Sequence, residues 1–338
     1  MVHFLPIASG KGGVGKSNFA VNLAVVLAQK GKRVVLADID FGGANLHTLL
    51  GLKNNHAGLG NFIFKQTSKF SELLQKTSVE NLLFVAGDCL YPGTANIDNL
   101  TKQKIIRRLS MLEADYIILD LGAGTTYNTL DFYLLTKNSV LVTTPELTAI
   151  LNAYSFLKAS SFRFFMRQFK THSAERKFIN RFLKESASGT EASFLDLLAK
   201  TAEKFSDSEK IHKAIEELGR FRPQVIVNMG QGLDDLEMAK RLRSLVHKKL
   251  GITMDFVGFL PRTEKVSWSI ASRTPLALSE PNCSFMRAVD AATGRILEHS
   301  YELNTFIGGE AGEEMFDDDF TEATDDDLGQ LSAEFNQS

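Results

Sequence analysis

Gly10-Lys11-Gly12-Gly13-Val14-Gly15-Lys16-Ser17 has the spacing G-x-x-x-x-G-K-S of a phosphate-binding loop, and the reading of the whole chain turns on it. Glycines at these positions leave room for backbone N–H groups to wrap phosphate oxygens, and Lys16 is spaced to reach the terminal phosphates. Ser17 would then hold magnesium. Upstream, the apolar run His3–Ser9 reads as a strand. Downstream, Lys16 to Lys30 reads as a helix with Phe19, Leu23, Val26 and Leu27 on one side and Gly31 placed to end it. Strand, glycine loop and helix in that order is the setting the motif requires. The loose pattern alone arises by chance in roughly one chain of this length in a hundred, and adding Lys11, Gly12 and Gly13 makes coincidence negligible. The bland alternative is a glycine turn without a ligand.

Outward from the loop, short apolar runs alternate with longer helical patterns. Arg33–Ala37, Leu82–Ala86, Tyr116–Leu119, Ser139–Thr143, Gln224–Val227 and Asp255–Leu260 read as further strands. The expected fold class is therefore α/β, a mostly parallel, doubly wound sheet flanked by helices. Tyr116-Ile117-Ile118-Leu119 is apolar at consecutive positions, as a strand covered on both faces must be. Pro6 interrupts the first run, since proline cannot donate to a ladder. From about 158 to 221 the alternation lapses into a charged helical stretch, with helices expected at Phe162–Lys184, Ser193–Lys204 and Glu209–Leu218. It reads as an insertion within a single domain of residues 1–305. Residues 306–338 contain many Asp and Glu and no Lys or Arg, so an acidic disordered tail is expected there.

The chain has 338 residues, 44% of them hydrophobic, enough for a large core. A net charge of −2 gives no whole-chain attraction to nucleic acid or an anionic surface. Cys89 and Cys283 are far apart and form no C-x-x-C or Cys/His group, so neither a zinc site nor a disulfide framework is indicated, and two buried thiols are expected. No signal sequence precedes the first strand, and no apolar run is long enough to span a bilayer. A cytoplasmic protein is expected, with peripheral attachment at the inner membrane surface left open.

Three aspartates belong with the loop. Asp38 and Asp120 follow apolar strand runs at the sheet edge that carries the loop, where parallel sheets bind ligands, and are candidates for a magnesium shell through water. Asp40 lies two residues beyond Asp38 and is free to reach a water near the terminal phosphate. Gly122 and Gly124, after Asp120, would let that segment move. Loop carboxylates and helix caps are the structural alternatives.

The run Lys11–Ser17 resembles the deviant Walker A motif of the MinD/ParA family of P-loop ATPases. Val35–Leu46 is similar to that family's switch I, and Tyr116–Gly124 to its Walker B and switch II. Thr143-Thr144-Pro145-Glu146 and Val225-Ile226-Val227-Asn228 resemble later family blocks. Within the family the pattern is nearest to FlhG-like flagellar-number regulators. The resemblance implies a magnesium- and ATP-binding switch that hydrolyses ATP to ADP and phosphate, weakly alone and faster on dimerisation or with a partner. It implies an ATP-dependent homodimer in which Lys11 crosses to the other subunit's phosphates, a cation in trans of the kind worth roughly 10³ to 10⁵ in rate. Lys16 and Asp40 take catalytic roles by the same resemblance, and Asn228 and Pro261 would hold the adenine. Lys11 serving only its own nucleotide is the alternative. Two features depart from the FlhG pattern: no activating extension precedes the first strand, and the C-terminal end is acidic where relatives carry a basic membrane helix.

Residues 156–184 form the one strongly basic region. Phe162, Phe165, Met166 and Phe169 fall at helical spacing, flanked by Arg163, Arg167 and Lys170. Three readings stay open: a helix packed on its own domain with solvated charges, an interfacial helix binding anionic lipid or a protein partner, and nucleic-acid contact. For the whole chain, a spatial-regulator ATPase is the first reading. DNA partitioning and a non-hydrolysing nucleotide-gated scaffold are the alternatives. The iron–sulfur carrier branch needs a cysteine pair that Cys89 and Cys283 do not supply.

Overall fold

The computed structural model describes residues 2–67, 69–87, 97–187 and 193–300. The expected acidic tail and Cys89 lie outside the described residues. The strands are β1 (His3–Ser9), β2 (Val34–Ile39), β3 (Leu74–Lys76), β4 (Leu82–Val85), β5 (Tyr116–Ala123), β6 (Val140–Thr143), β7 (Gln224–Gly230) and β8 (Asp255–Pro261). They form one sheet in the order β3-β4-β2-β5-β1-β6-β7-β8. Every pairing is parallel except β3 with β4. The helices are α1 (Lys16–Gln29), α2 (Leu46–Leu49), α3 (Leu59–Ile63), α4 (Asn99–Ser110), α5 (Tyr127–Tyr133), α6 (Leu147–Met166) and α7 (Ala174–Ala187). They continue with α8 (Phe194–Lys204), α9 (Glu209–Gly219), α10 (Leu233–Leu250), α11 (Glu264–Ala271), α12 (Leu276–Ser279) and α13 (Ser284–Ser300).

Consecutive apolar residues in the strands divide between two cores. Leu5, Ile7, Val34, Leu36, Tyr116 and Ile118 face α1, α12 and α13. Phe4, Ala8, Val35, Ala37, Ile117 and Leu119 face α4, α5, α6 and α10. The two-residue period of a pleated strand sends neighbours to opposite sides, which is why these strands could not be half polar. Fully burying a side chain such as Leu23, Leu27 or Phe19 on α1 contributes about 1.5–3 kcal/mol. Helix α1 is buried on nearly every side, beyond the single apolar stripe its sequence suggests. Its buried Asn22 is satisfied by accepting from the Ala277 N–H at 2.8 Å and donating to the Asn18 carbonyl. Pro6 is accommodated because β1 pairs with β6 only from Ile7 onward, one residue beyond the proline.

The stretch expected as one helix over Phe162–Lys184 is two, α6 and α7, separated by a turn. The second begins where the Ser173 hydroxyl accepts the Arg176 N–H at 3.1 Å. Phe169 lies in the turn, so the apolar stripe on the helix itself ends at Met166. The apolar faces of α6 to α9 join the core of the sheet through Phe165, Ile179, Phe194 and Ile211. The basic stretch is solvated only in part: Lys170, Lys177, Arg181 and Lys184 are exposed. Arg163 is 3% exposed and donates through Nε and Nη2 to the two oxygens of Asp131 on α5, at 2.9 and 3.0 Å. Lys102 of α4 binds the same carboxylate, and Arg167 lies 3.9 Å from it. Arg176 is buried and donates to the Met166 carbonyl. Of the three cations expected to flank the stripe, Lys170 alone is exposed. Among the described residues, no helix is long and apolar enough to cross a membrane.

Candidate nucleotide-binding site

Parallel strands deliver their C-terminal ends to one edge, and the loop Gly10–Gly15 leaves β1 there to enter α1. Gly13 and Gly15 have φ of +81° and +85°, in the left-handed region that favours glycine. Gly10 is required by close approach: a Cβ there would stand 2.2 Å from the Asn152 carbonyl oxygen on α6. Gly15 is the N-cap of α1 and supplies no side-chain cap, and the first turn holds no acidic residue. The first N–H groups of a helix with such an end are free to receive an anion, which the helix dipole favours.

Lys16 is 7% exposed, and its Nζ lies 2.6 Å from Asp120 Oδ1 and 3.4 Å from Ser17 Oγ. Asp38 and Asp120 are register partners on the adjacent strands β2 and β5. Asp38 accepts the Asp40 N–H at 3.1 Å and the Leu46 N–H at 3.2 Å. Burial, followed by the charge of Asp120, pushes the Asp38 carboxyl up to about 7, against the opposing pull of those two N–H groups and Lys16. Two buried carboxylates thus share one lysine, a donor set short of positive charge. That arrangement fits a divalent cation, with Ser17 as the hydroxyl ligand. Among the described residues there is no group of three or more His, Cys, Asp or Glu that could hold a metal ion.

Asp40 is half-buried, and its Oδ1 accepts the Gly42 N–H at 3.3 Å. Its carboxylate also lies against Gly122, where an added Cβ would come within 3.3 Å, so the segments after β2 and at the end of β5 meet at this side chain. Lys11 sits differently from Lys16. Its side chain is 41% exposed, and Nζ lies 3.1 Å from Thr148 Oγ1 and 3.4 Å from Glu146 Oε2, at the start of α6. Thr148, and the contact of Glu146 with Lys11, were not singled out from the sequence. Glu146 belongs to the Thr143–Glu146 segment, but nothing local links it to a residue 135 positions away.

Asn228, on β7, is 5% exposed and donates through Nδ2 to the Val14 carbonyl at 2.8 Å. A Cβ on Gly15 would collide with the same amide, so Asn228 fixes the phosphate loop. Pro261 ends β8 in register with Gly230, close in sequence to Asn228, and Arg262 N–H donates to the Gly230 carbonyl at 2.9 Å. Loop, aspartates and Asn228 are thus gathered at one edge of the sheet. Cys283 is a free, half-buried thiol, not the buried one expected.

Comparison with known proteins agrees with this geometry. Residues 1–162 match the family described as ParA: NUBPL iron-transfer P-loop NTPase. The flagellum site-determining protein YlxH of Helicobacter pylori is 35% identical over 172 residues, covering 47% of this chain and 53% of that protein. The septum site-determining protein MinD of the same organism is 33% identical over 153 residues, covering 44% and 56%. The match thus spans about half the length of these curated relatives. In fold, the septum site-determining protein MinD complexed with Mg-ADP from Pyrococcus horikoshii superposes with a TM-score of 0.60 at 17% identity, over 88% of this chain and 96% of that one.

Proposed function

We infer that this member of the ParA/MinD family of P-loop NTPases is a dimerising ATP switch, in which ATP binding assembles two copies and hydrolysis to ADP and phosphate releases them. The observation that carries the reading is the contrast between two lysines of one loop. Lys16 is buried against Asp120 beside the phosphate cradle, while Lys11 is exposed and rests on α6. A lysine so placed is available to a second molecule. In the proposed cycle, Lys16 exchanges part of its contact with Asp120 for the β- and γ-phosphates, an attraction of order 4 kcal/mol at about 4 Å before desolvation. The N–H groups of the loop and of the first turn of α1 orient the phosphate chain. Magnesium, held by Ser17 with Asp38 and Asp120 behind its waters, would supply charge neutralisation. Asp40 accepts a hydrogen bond from the attacking water and orients it. Lys11 leaves Glu146 and Thr148 and meets the partner's phosphates, so that turnover requires the dimer. Asn228 and Pro261 border the adenine.

The site-determining names of the YlxH and MinD relatives favour a spatial regulator over a metabolic ATPase. The protein partner or anionic surface that such a regulator reads is part of the proposal, and it does not run through Arg163, which is buried. Phosphate release measured against protein concentration tests the reading. Specific activity should rise with concentration in the wild type and stay flat and low in Lys11→Ala. Turnover independent of concentration, or equal in the two proteins, would contradict it. ATP binding without any turnover would favour the non-hydrolysing scaffold.

A further inference from the structure

Helix α4 has a second face that the nucleotide site does not use. Ile105 and Leu109 bury its inner side, while Leu100, Lys104, the adjacent pair Arg107 and Arg108, and Met111 share its outer side, linked by three- and four-residue spacings. Leu100 is 66% exposed and Met111, the C-cap, is 60% exposed, high values for large apolar side chains. Lys104, Arg107 and Arg108 are exposed, and none of them forms an ion pair among the described residues. Helix α4 itself contains no Asp or Glu. The result is a basic stripe with an apolar residue at each end, a surface that complements an acidic segment with interspersed apolar side chains.

The chain carries such a segment. Residues 310–328 hold Glu310, Glu313, Glu314, Asp317, Asp318, Asp319, Glu322, Asp325, Asp326 and Asp327, with Met315, Phe316, Phe320 and Leu328 among them and no Lys or Arg. The point from which it departs is favourable. Arg295 on α13 donates to the carbonyl of Val257 near the start of β8, so the last turn of α13 emerges at the edge where the parallel strands begin. The basic end of α4 is at that same edge, because α4 leads directly into the start of β5. Four strand spacings of about 4.8 Å put β8 roughly 19 Å from β5 along the sheet. Helices α13 and α4 lie on opposite faces, so the linker passes beneath the strand starts, and ten extended residues reach about 33 Å. We propose that residues 310–328 dock within the same chain on the stripe formed by Leu100, Lys104, Arg107, Arg108 and Met111, covering it against other acidic partners. The docking lies at the opposite sheet edge from the phosphate loop and does not depend on the nucleotide reading.

Zero-length carbodiimide coupling of the full chain tests it, because Lys104 can form an amide only with a carboxylate already in contact. The expected product links Lys104 to acidic residues between Glu310 and Asp327 in one chain. Its yield should fall about fivefold or more at ~1 M salt, where the screening length shrinks from about 10 Å to about 3 Å. R107E/R108E keeps Lys104 as reporter and should lower the yield by a similar factor with an unchanged melting temperature. Yield unaffected by R107E/R108E, or tail carboxylates coupled evenly to lysines elsewhere, would overturn the proposal. So would products that join isotopically labelled to unlabelled chains, which would make a second copy the occupant.

Discussion

The protein buries two clusters of opposite charge balance, and the contrast separates a site from a scaffold. At the phosphate loop, Asp38 and Asp120 share the one cation Lys16. Beneath α6, the single carboxylate of Asp131 is bound by Lys102 and Arg163, with Arg167 at 3.9 Å. The first cluster is short of positive charge and lies at the sheet edge that carries the loop Gly10–Gly15. The second is closed by protein groups and ties α4, α5 and α6 together. Their proton equilibria diverge accordingly. Burial alone would raise the Asp131 carboxyl, but Arg163, Arg167 and Lys102 hold it below the usual carboxylate range, whereas Asp38 is pushed up to about 7.

The largest effect should come from breaking the closed cluster. Asp131→Ala leaves buried cations without their carboxylate and should cost about 3–5 kcal/mol, read by urea denaturation. A loss below about 1 kcal/mol would mean that the cluster does not hold the helices together. At the open cluster the loss should instead fall on ligand binding. Lys16→Ala should weaken ATP at least about a hundredfold, equivalent to about 2.7 kcal/mol, by calorimetric titration. Affinity within about threefold of wild type would remove Lys16 from the phosphate site.

Opposite pH responses sharpen the contrast. The Asp38 carboxyl binds its proton more tightly in the folded chain, about 7 against roughly 3.9 unfolded. Its contribution to stability is therefore complete below about pH 4 and is lost as pH rises through about 7. Asp131 is shifted the other way, so its contribution is present above about pH 4 and is lost as pH falls through its lowered folded value. Asp38→Asn should stabilise the ligand-free protein at pH 8 by on the order of 2 kcal/mol and flatten the pH 4 to 8 slope. An unchanged slope would contradict the shortage of positive charge at the site. The smallest stability effect belongs to Lys11→Ala, whose exposed contacts with Glu146 and Thr148 should contribute less than about 1 kcal/mol. A larger loss in melting experiments would make Lys11 a structural residue.

The two clusters were unequally legible. Lys16, Asp38 and Asp120 could be named from sequence because a loop motif and two apolar strand runs each carry a local signal that fixes where the residue emerges. The Asp131 cluster joins residues 29 and 32 positions apart across three helices, and nothing in their local spacing marks them as partners. Seven of the eight strands were recognisable as apolar runs. The eighth, Leu74–Lys76, is a three-residue antiparallel edge too short to show a period. The split of Phe162–Lys184 into two helices was signalled by Ser173, an N-cap residue that the basic, phenylalanine-rich pattern around it obscured. Asn228 was placed near the site by resemblance, but its bond to the Val14 carbonyl needed the fold.

The central claim, that ATP brings two copies together through the loop bearing Lys11, is tested most directly by the mass of Asp40→Ala in solution. Sedimentation with magnesium and ATP should give a dimer that persists, because the variant binds ATP without consuming it, while the same protein with ADP stays monomeric. A monomer with ATP at every protein concentration, in a protein that still binds the nucleotide, would contradict the account.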